Sequence, residues 1–396
     1  MNLPTANRLR CVLKKGREKP LLGRHPWVYS GAIDRIEEGY AKGDLVRVEG
    51  AGGEFLGIGY LNPDSQIAVR ILSFEDTAVD AEFFKGRIKA ALELRSEIPM
   101  AETNAYRLIQ SEGDFIPGLI VDRYADYLVA QFLTAGMEKW KETIAEILHE
   151  LMPVKGIFEK DDPEVRSLEG LDKQIGVLWG EEPPEFIEIT ENGNRFFVDV
   201  KRGQKTGFFL DQRDNRRLVG NLSAGKRVLN CFAYTGGFSV YALRGGAKDV
   251  VSVESQELAC KQAERHGVEM GAGDRHKVVR ADVFEYLRQA EGEFDVIVLD
   301  PPGFCKSKAG VNGASRGYKD INLFALKRLA PGGMLLTCSC SSFISADLFQ
   351  KIVFGAAKDA ARSVRILLHT ANPMDHPTDL SHPEGSYLKG LLCQVL

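Results

Sequence analysis

The C-terminal half of the chain alternates short apolar segments with longer amphipathic ones, and this pattern restricts the fold more than any other feature. From about Lys226, the segments RVLNCF, DVVSVES, HKVVRAD, FDVIVLD, GMLLTCSC and SVRILLHT are typical of strands, and helical stretches separate them. Near-continuous apolar strands joined by crossover helices predict a parallel sheet covered on both faces. A last strand, YLKGLLCQVL, follows a long loop without a helix, which predicts a closing antiparallel hairpin. The fold class is therefore α/β, with a mostly parallel seven-stranded sheet.

The 396 residues suit two or three domains. Residues 1–75 contain short β-forming runs separated by Gly, Asn-Pro and Asp turns, which predicts a β-rich domain. Residues 76–195 mix helical and strand patterns and are predicted to form an α+β domain, including a hairpin at Asn192–Gly193. Residues 196–396 are predicted to form the α/β domain.

The composition fits a globular protein that stays in the cytoplasm. It is 44% hydrophobic and 27% charged, and no apolar run reaches the roughly 18 residues that span a bilayer. The N-terminus has basic residues but lacks the apolar core of a secretory signal. The seven cysteines include no CxxC pair, so we expect neither a disulfide framework nor a metal site.

Basic side chains are concentrated in two segments although the net charge is −4. A solvated surface accounts for either cluster alone, but two clusters near the α/β domain also suit phosphate contacts. The first cluster consists of Arg8, Arg10, Lys14, Lys15, Arg17, Lys19 and Arg24, and the second of Lys201, Arg202, Lys205, Arg213, Arg216 and Arg217.

Residues suited to binding a nucleoside follow successive strands of the α/β domain. The first strand leads into AYTGG, whose glycines allow close approach of the backbone. Glu254 ends the second strand, where a carboxylate accepts both hydroxyls of an adenosine ribose, and Asp282 follows the third, within reach of an adenine amino group. Each acid alone fits a helix cap, but their register favours a nucleoside site. The predicted cofactor-binding residues of this region are Asn230, Phe232, Tyr234, Thr235, Gly236, Gly237, Glu254, Ser255, Asp282, Val283 and Asp300.

NAD and S-adenosylmethionine both fit these residues. The glycine pattern that binds a dinucleotide phosphate is missing, and the antiparallel last hairpin is a methyltransferase trait. Both features favour S-adenosylmethionine as the cofactor.

The fourth strand ends in Leu299-Asp300-Pro301-Pro302-Gly303-Phe304, a loop suited to holding a flat base. The prolines fix φ and leave carbonyl groups free of local amide partners. Such loops resemble those of nucleic-acid and amine methyltransferases. We therefore predict catalytic roles for Asp300 and Pro301, and expect Phe304 to pack against the base, although an ordinary core position fits it equally well.

Two thiols, Cys338 and Cys340, end the fifth strand beside this loop. Cytosine C5 is a poor nucleophile, but a thiolate that adds to C6 makes C5 enamine-like, and an acid at N3, such as Asp300, stabilises the developing charge. Buried structural cysteines are the common alternative. Strand alternation directs both thiols to one face, so either fits the nucleophile. We favour Cys340 because it is nearer the strand end, and Cys305 is a weaker candidate for assisting release.

Over essentially its whole length, the chain resembles the bacterial 23S rRNA (cytosine-5)-methyltransferases of the large-subunit methyltransferase I type. Six motifs carry this resemblance, and together, in their order along the chain, they are more specific than any one of them. The resemblance rests on SEGDFIPGLIVDRY (Ser111–Tyr124), GQKTGFFLDQRDNR (Gly203–Arg216), NCFAYTGGFSVYA (Asn230–Ala242), LDPPGFCKSK (Leu299–Lys308), SCS (Ser339–Ser341) and YLKGLLC (Tyr387–Cys393).

The resemblance implies a Rossmann-like class I methyltransferase domain preceded by an RNA-binding PUA domain and a central α+β domain. It implies that the GQKTGFFLDQR segment belongs to the donor pocket, and that the family's cysteine falls on Cys340. Cys338 resembles the Thr-Cys nucleophile of a different group of RNA cytosine methyltransferases, so it stays an alternative. The donor-pocket residues implied by the resemblance are Lys205, Thr206, Asp211 and Arg213.

Three other activities fit parts of the pattern. A ring nitrogen of guanine or the amino group of adenine needs no covalent cysteine, and a donor-binding RNA module needs no catalysis. The intact acids at 254, 282 and 300 disfavour the last. The expected partner is large-subunit ribosomal RNA, with no membrane and no metal, and a homodimer is left open. The predicted RNA-contacting residues are Lys14, Lys15, Arg24, Phe304, Lys306 and Lys308.

Overall fold

The structure, a computed structural model, describes residues 9–396. The first eight residues of the predicted β-rich domain, including Arg8 of the basic cluster, lie outside the described residues. By its internal contacts the chain forms two units. One ends at Leu210 and also contains Met374–Gly385, and the other consists of Asp211–Pro373 and Ser386–Leu396. The division into three domains at residues 75 and 195 stays a prediction.

The first unit begins with a six-stranded sheet in the order β2-β6-β5-β4-β1-β3. Val46, Val48 and Val69 pack in its core, so the valine-rich runs predicted as strands supply the buried face. The elements are β1 (Leu9–Leu13), α1 (Lys19–Leu22), β2 (Trp27–Tyr29), β3 (Ile33–Ile36), β4 (Leu45–Glu49), β5 (Phe55–Leu61) and β6 (Ile67–Ser73).

A five-stranded sheet in the order β11-β10-β9-β8-β7 follows in the same unit. Its two long helices begin at capping side chains, since Asp80 accepts from the backbone N–H of Phe83 and Thr134 from that of Met137. The elements are α2 (Ala81–Glu97), β7 (Ala105–Gln110), β8 (Leu119–Tyr124), β9 (Tyr127–Phe132), α3 (Ala135–Leu151), β10 (Gly156–Lys160), α4 (Pro163–Leu168) and β11 (Ile175–Gly180).

The hairpin predicted at Asn192–Gly193 is present, with strands β12 (Ile187–Glu191) and β13 (Asn194–Val198). Both turn residues have positive φ, 47° at Asn192 and 73° at Gly193, as a two-residue turn between twisted strands requires. The hairpin prediction is therefore confirmed. The turn forms here because Asn and Gly adopt positive φ at low energetic cost.

The second unit is built on a seven-stranded sheet in the order β16-β15-β14-β17-β18-β20-β19. The first five strands pair in parallel, and β20 pairs antiparallel with β18 and β19. The predicted fold class and closing hairpin are therefore confirmed. The elements are α5 (Arg213–Leu222), β14 (Arg227–Cys231), α6 (Gly237–Arg244), β15 (Asp249–Glu254), α7 (Glu257–Glu269), β16 (His276–Arg280), α8 (Val283–Gln289), β17 (Phe294–Leu299), α9 (Val311–Arg328), β18 (Leu329–Ser339), α10 (Ala346–Asp359), β19 (Val364–Ala371) and β20 (Lys389–Val395).

Apolar side chains from alternate strand positions feed two cores in this unit. Leu229 and Ile297 belong to one cluster with residues of α9 and α10, whereas Val228 and Val296 belong to another with residues of α6. Burial on both faces explains why these strands have continuous apolar sequences. Within residues 9–396, no helix combines the length and apolar character that crossing a membrane requires.

Candidate active site

The C-terminal ends of the parallel strands lie in register at one edge of the seven-stranded sheet. Cys231 pairs with Val253 of β15 and with Leu299 of β17, and Leu299 pairs with Thr337 of β18. Because each of these strands is followed by a predicted site segment, the register brings those segments together.

The loop after β14 has an unusual backbone. Phe232 and Tyr234 adopt positive φ values of 58° and 47°, which large side chains rarely do and which often mark functional loops. Gly236 has a φ of 81°, and a Cβ there would lie 3.1 Å from the Cβ of Ala263. The hydroxyl oxygen of Thr235 is buried without a hydrogen-bond partner. Gly237 follows as the first residue of α6. The loop therefore combines a tightly packed backbone with a buried hydroxyl oxygen that has no hydrogen-bond partner.

Glu254, at the end of β15, is held by the backbone on both carboxylate oxygens. Its Oε2 accepts the N–H of Tyr234 at 2.8 Å, and its Oε1 accepts the N–H groups of Ser255 and Gln256 at 2.8 and 2.9 Å. The side chain is only 8% exposed. Three backbone donors fix its orientation at the position predicted for the ribose contact.

The other residues predicted to bind S-adenosylmethionine on this side of the sheet already have contacts within the protein. Asp282 is exposed and caps α8, accepting the N–H of Glu285 at 3.0 Å, and Val283 is buried. The Asn230 side chain is fully buried and donates to the hydroxyl of Ser239 at 2.9 Å. The carbonyl oxygen of the Asn230 side chain has no hydrogen-bond partner. Contacts of these residues with S-adenosylmethionine stay a prediction.

Asp300 directly follows β17 and has a buried amide partner. The Gln212 side chain donates to Oδ1 of Asp300 at 2.7 Å, and Asn215 donates to Gln212 at 2.6 Å. Burial and the charge of Asp211 raise the pKa of Asp300 to about 7, although Arg216 and Gln212 oppose the shift. Asp300 is therefore a carboxyl group that titrates near neutral pH.

Asp211, implied as a donor-pocket residue, is also in this unit. Its Oδ2 accepts the hydroxyl of Tyr387 at 2.8 Å, while its Oδ1 is buried without a hydrogen-bond partner. Arg213 begins α5 and is buried. An unused carboxylate oxygen beside Asp300 offers an acceptor for a bound molecule.

The two thiols differ in burial and surroundings. Cys338 lies inside β18, is fully buried in the core and approaches the Asn215 amide at 3.9 Å. Cys340 follows the strand end, is partly exposed, and its sulfur lies 3.9 Å from the Pro301 carbonyl oxygen. Burial and the charge of Asp300 raise the pKa of both thiols, that of Cys340 to about 12.

Hydroxyl groups and an ammonium surround the segment that contains Cys340. Ser339 donates to the Tyr318 hydroxyl at 3.0 Å, and that hydroxyl lies 2.9 Å from the hydroxyl of Ser341. The Lys389 ammonium donates to the carbonyl oxygens of Ser341 and Ile344, each at 2.7 Å. These contacts fix the backbone on both sides of the thiol.

Phe304 lies in an aromatic cluster and is partly buried. Its ring centroid is 4.7 Å from that of Tyr318, 5.8 Å from that of Phe284 and 6.2 Å from that of Phe232. These contacts favour the core position that the sequence left open, although they leave part of the ring exposed. Lys306 and Lys308 follow it in the loop and are exposed.

The remaining predicted residues belong to the first unit. Lys205 is exposed and pairs with Asp162 at 2.5 Å, while the buried Thr206 hydroxyl donates to Asp122 at 2.6 Å. Both side chains therefore have partners within this unit, and their donor contacts stay a prediction. Among the predicted RNA-contacting residues, Lys14, Lys15 and Arg24 are exposed.

Three carboxylates of the first unit, Glu138, Glu159 and Asp161, have oxygens within 4.8 Å of one another. Lys141 lies 2.8 Å from Glu138 and 2.7 Å from Glu159, and Arg166 lies 2.6 Å from Glu138 and 2.8 Å from Asp161. Each of the three carboxylates is therefore already paired with at least one of these two cations. The expectation that the protein uses no metal stays a prediction.

Sequence reasoning did not identify Gln212, Asn215, Tyr318 or Lys389 as site residues. Gln212 and Asn215 fall within the segment GQKTGFFLDQRDNR, and Lys389 falls within YLKGLLC. Both segments support the family resemblance, but nothing in them indicates these contacts. Their roles depend on pairing between distant strands, which only the tertiary structure provides.

Comparisons with known proteins match both halves of the chain. The S-adenosylmethionine-dependent methyltransferase family matches residues 172–393, and a PUA-like domain family matches residues 12–74. The ribosomal RNA large subunit methyltransferase I of Aeromonas salmonicida is 48% identical over 390 residues, covering 97% of this chain and 98% of the relative. The protein of the same name from Aliivibrio fischeri is 46% identical over 391 residues, with the same coverage.

Solved structures share the fold. A crystal structure of a protein assigned as a methyltransferase, complexed with SAH, has a TM-score of 0.85 at 24% identity and covers 98% of this chain and 100% of its own. A protein from Streptococcus mutans assigned as an S-adenosylmethionine-dependent methyltransferase has a TM-score of 0.83 at 24% identity, with the same coverage. At this identity, the likeness concerns the fold alone.

Proposed function

Because the chain belongs to the S-adenosylmethionine-dependent methyltransferases, within the ribosomal RNA large subunit methyltransferase I family, we propose that it methylates large-subunit ribosomal RNA. The observation that carries the proposal is the strand register, which brings Glu254, Asp300 and Cys340 to one edge of the sheet. A donor site and a reactive acid–thiol pair at one edge suit methyl transfer.

The residues after β14 and β15 fit S-adenosylmethionine. Glu254 is oriented to accept ribose hydroxyls, Gly236 allows backbone approach, and the buried oxygens of Thr235 and Asp211 lack partners that a ligand would supply. When bound, the donor supplies an electrophilic methyl group on a sulfonium sulfur. Asn230, Phe232, Tyr234, Gly237, Ser255, Asp282 and Val283, together with Lys205, Thr206 and Arg213, remain proposed contributors to this site.

We propose further that the acceptor atom is C5 of a cytosine and that Cys340 is the nucleophile. Cys340 is partly exposed at the strand end beside the Pro301 carbonyl, whereas Cys338 is fully buried in the core. A nucleophile must reach a base from outside the sheet, which favours Cys340. Asp300 titrates near neutral pH, so a protonated fraction is available for N3.

In the proposed reaction, the Cys340 thiol gives its proton to solvent, and the sulfur then forms a bond to C6. The π pair of the C5–C6 bond moves to form a C4–C5 double bond, the π pair of the N3–C4 bond moves to N3, and N3 takes the Asp300 proton. C5 is then the nucleophilic carbon of an enamine. C5 takes the methyl group, and the pair of the broken carbon–sulfur bond stays with the donor. Loss of the C5 proton to a base re-forms the double bond, the Cys340 thiolate leaves C6, and N3 returns its proton to Asp300.

The test uses large-subunit RNA containing 5-fluorocytosine, because fluorine at C5 blocks the last step and traps the covalent intermediate. The parent chain and Cys338→Ala are expected to give a denaturation-stable RNA adduct, and Cys340→Ala is expected to give none. Cys338→Ala is the matched control, since it removes a thiol two residues away. Loss of the adduct in Cys338→Ala alone would move the nucleophile to that residue.

Methylated RNA without an adduct from any variant would mean that catalysis is not covalent. Methylation of a guanine ring nitrogen, or of the adenine amino group beside Asp300 and Pro301, would then replace the cytosine proposal. Nucleoside analysis of the labelled RNA distinguishes the three products.

We propose that exposed basic side chains of both units contact RNA phosphates, and that a cytoplasmic location follows from the ribosomal substrate. A base inside folded RNA must leave its stack to reach the thiol. The residues proposed for these contacts are Lys14, Lys15, Arg24, Lys306 and Lys308, with Phe304 beside the base. Charge reversal at these lysines should weaken RNA binding and reduce its salt dependence.

A homodimer is also proposed. β19 pairs only with β20 among the described strands, and its Ile366, Leu367 and Leu368 side chains are 37%, 48% and 46% exposed. An apolar edge strand of this kind is usually covered. Light scattering of the purified chain and of Leu367→Lys tests the idea, and a monomeric parent would refute it.

A further inference from the structure

Lys389 is placed to act on the segment that contains Cys340. It is the first residue of β20 and pairs with Ser339 across the antiparallel strands. Its ammonium donates to the carbonyl oxygens of Ser341 and Ile344, so it ties together the turn that begins at the thiol. An ammonium has three N–H donors, and these two carbonyls use two of them.

The ionisable groups that act on Cys340 come from every element packed around it. Burial and the carboxyl groups raise the pKa of the thiol to about 12, and the Lys389 ammonium opposes this shift. Only a cation among these groups favours a thiolate. The groups are Asp300 after β17, Asp211 before α5, Tyr318 of α9, Cys338 of β18 and Lys389 of β20.

We propose that Lys389 is a positioning residue whose ammonium holds the Cys340 turn and stabilises negative charge on the Cys340 sulfur. The proposal deepens the proposed function, because the thiol must lose its proton before it attacks C6. Burial, two carboxyl groups and a carbonyl oxygen oppose that loss, and the nearby Lys389 ammonium favours it. Both side chains are partly buried, and partial shielding from water strengthens the interaction between their charges.

A purely structural Lys389 would behave differently. Removing a clamp loosens the turn, exposes the sulfur and makes it react faster with a small neutral reagent. Removing a stabilising charge makes the sulfur react more slowly, because less thiolate is present. The two roles therefore predict opposite signs for one measurement.

The experiment follows alkylation of Cys340 by iodoacetamide in the full-length, ligand-free chain, using mass spectrometry of the Cys340 peptide. With Lys389→Met, the rate is expected to be about three- to tenfold slower near pH 8, since a higher thiol pKa lowers the thiolate fraction more than it raises nucleophilicity. The difference should shrink as the pH rises, because burial lowers the pKa of Lys389 and the parent then loses the ammonium charge. Lys389→Arg keeps the charge and should restore most of the rate. A rate in Lys389→Met equal to or faster than that of the parent would overturn the proposal.

Folding and the proposed function are controlled separately. If circular dichroism shows that Lys389→Met does not fold, Lys389→Gln, which keeps an N–H donor without a charge, takes its place under the same criterion. A parent that forms no adduct with 5-fluorocytosine RNA, while alkylation still slows in Lys389→Met, would refute the cytosine mechanism and leave the Lys389 inference standing. An adduct through Cys340 with unchanged alkylation in Lys389→Met would refute the Lys389 inference alone.

Discussion

Two carboxylates at the same edge of the seven-stranded sheet have very different surroundings. Glu254 follows β15, and three backbone N–H groups donate to it. Asp300 follows β17 and accepts one side-chain amide from Gln212, but burial and the nearby Asp211 charge raise its pKa to about 7. Glu254 is surrounded by backbone N–H donors, whereas Asp300 is removed from water and lies near a second negative charge.

The contrast indicates how one strand edge supports both binding and chemistry. Backbone donors fix a carboxylate as a permanent acceptor, which suits recognition of ribose hydroxyls. Desolvation and a second carboxylate give a group that holds or releases a proton near neutral pH, which suits proton transfer. Substitution of Asp300 should therefore affect methyl transfer, and substitution of Glu254 should affect donor binding.

Asp300→Asn is expected to lower methyl transfer by roughly 10²- to 10⁴-fold, the range typical of a lost acid–base group. Asn keeps an oxygen that accepts from Gln212, so donor affinity should change little. Single-turnover methyl incorporation and equilibrium donor binding measure the two quantities. Full activity in this variant would contradict the assigned role.

The same substitution has an opposite effect on stability. The pKa of Asp300 is raised from 3.8 to about 7, so the folded state binds more protons between these values and loses stability as the pH rises through them. Asp300→Asn removes that penalty. Urea unfolding should show the variant to be more stable than the parent at pH 8, by a few kcal/mol, and a parent that is equally stable at pH 5 and pH 8 would argue against the raised pKa.

Glu254→Gln is expected to weaken donor binding by roughly 10- to 100-fold, since an amide nitrogen would face a backbone donor and a charged acceptor is lost. Transfer at saturating donor should recover toward the parent rate, because Asp300 and Cys340 are unchanged. Titration calorimetry measures the affinity, with the exposed Glu257→Gln as the control. Unchanged affinity would remove the ribose contact from the proposal.

Asp282→Ala is expected to have the smallest effect. Its side chain caps α8, and loss of a cap costs about 1 kcal/mol of unfolding free energy. Donor affinity should fall less than in Glu254→Gln, because Asp282 is exposed. Urea unfolding of this variant and of Asp282→Asn, which keeps a capping oxygen, measures the cost. Equal stability of the Ala variant and the parent would exclude the cap as its role.

The local sequence pattern is sufficient to predict much of the architecture. The apolar periodicity of RVLNCF through YLKGLLCQVL predicted the parallel sheet and its closing hairpin, because burial on both faces imposes that pattern wherever the chain folds this way. The Asn192–Gly193 turn was predicted because both residues tolerate positive φ. Glu254, Asp282 and Asp300 were recognised because strand ends in such sheets meet at one edge.

The environments of these residues were not predictable from local pattern. Strand alternation treated Cys338 and Cys340 as equivalent, yet one is fully buried in the core and the other lies partly exposed at the strand end. Phe304 was left open between a base contact and a core position, and its contacts with Tyr318, Phe284 and Phe232 depend on packing between separate elements.

The order of strands and helices, the hairpin turn and the acids at the strand ends follow from the sequence, because they depend on residues close together in the chain. The contact of Gln212 with Asp300, 88 residues away, and the contact of Lys389 with the turn after Cys340 arise only when the chain folds. Hydrogen bonding and desolvation act through space. The properties of a reactive group therefore depend on neighbours that its own segment of sequence does not contain.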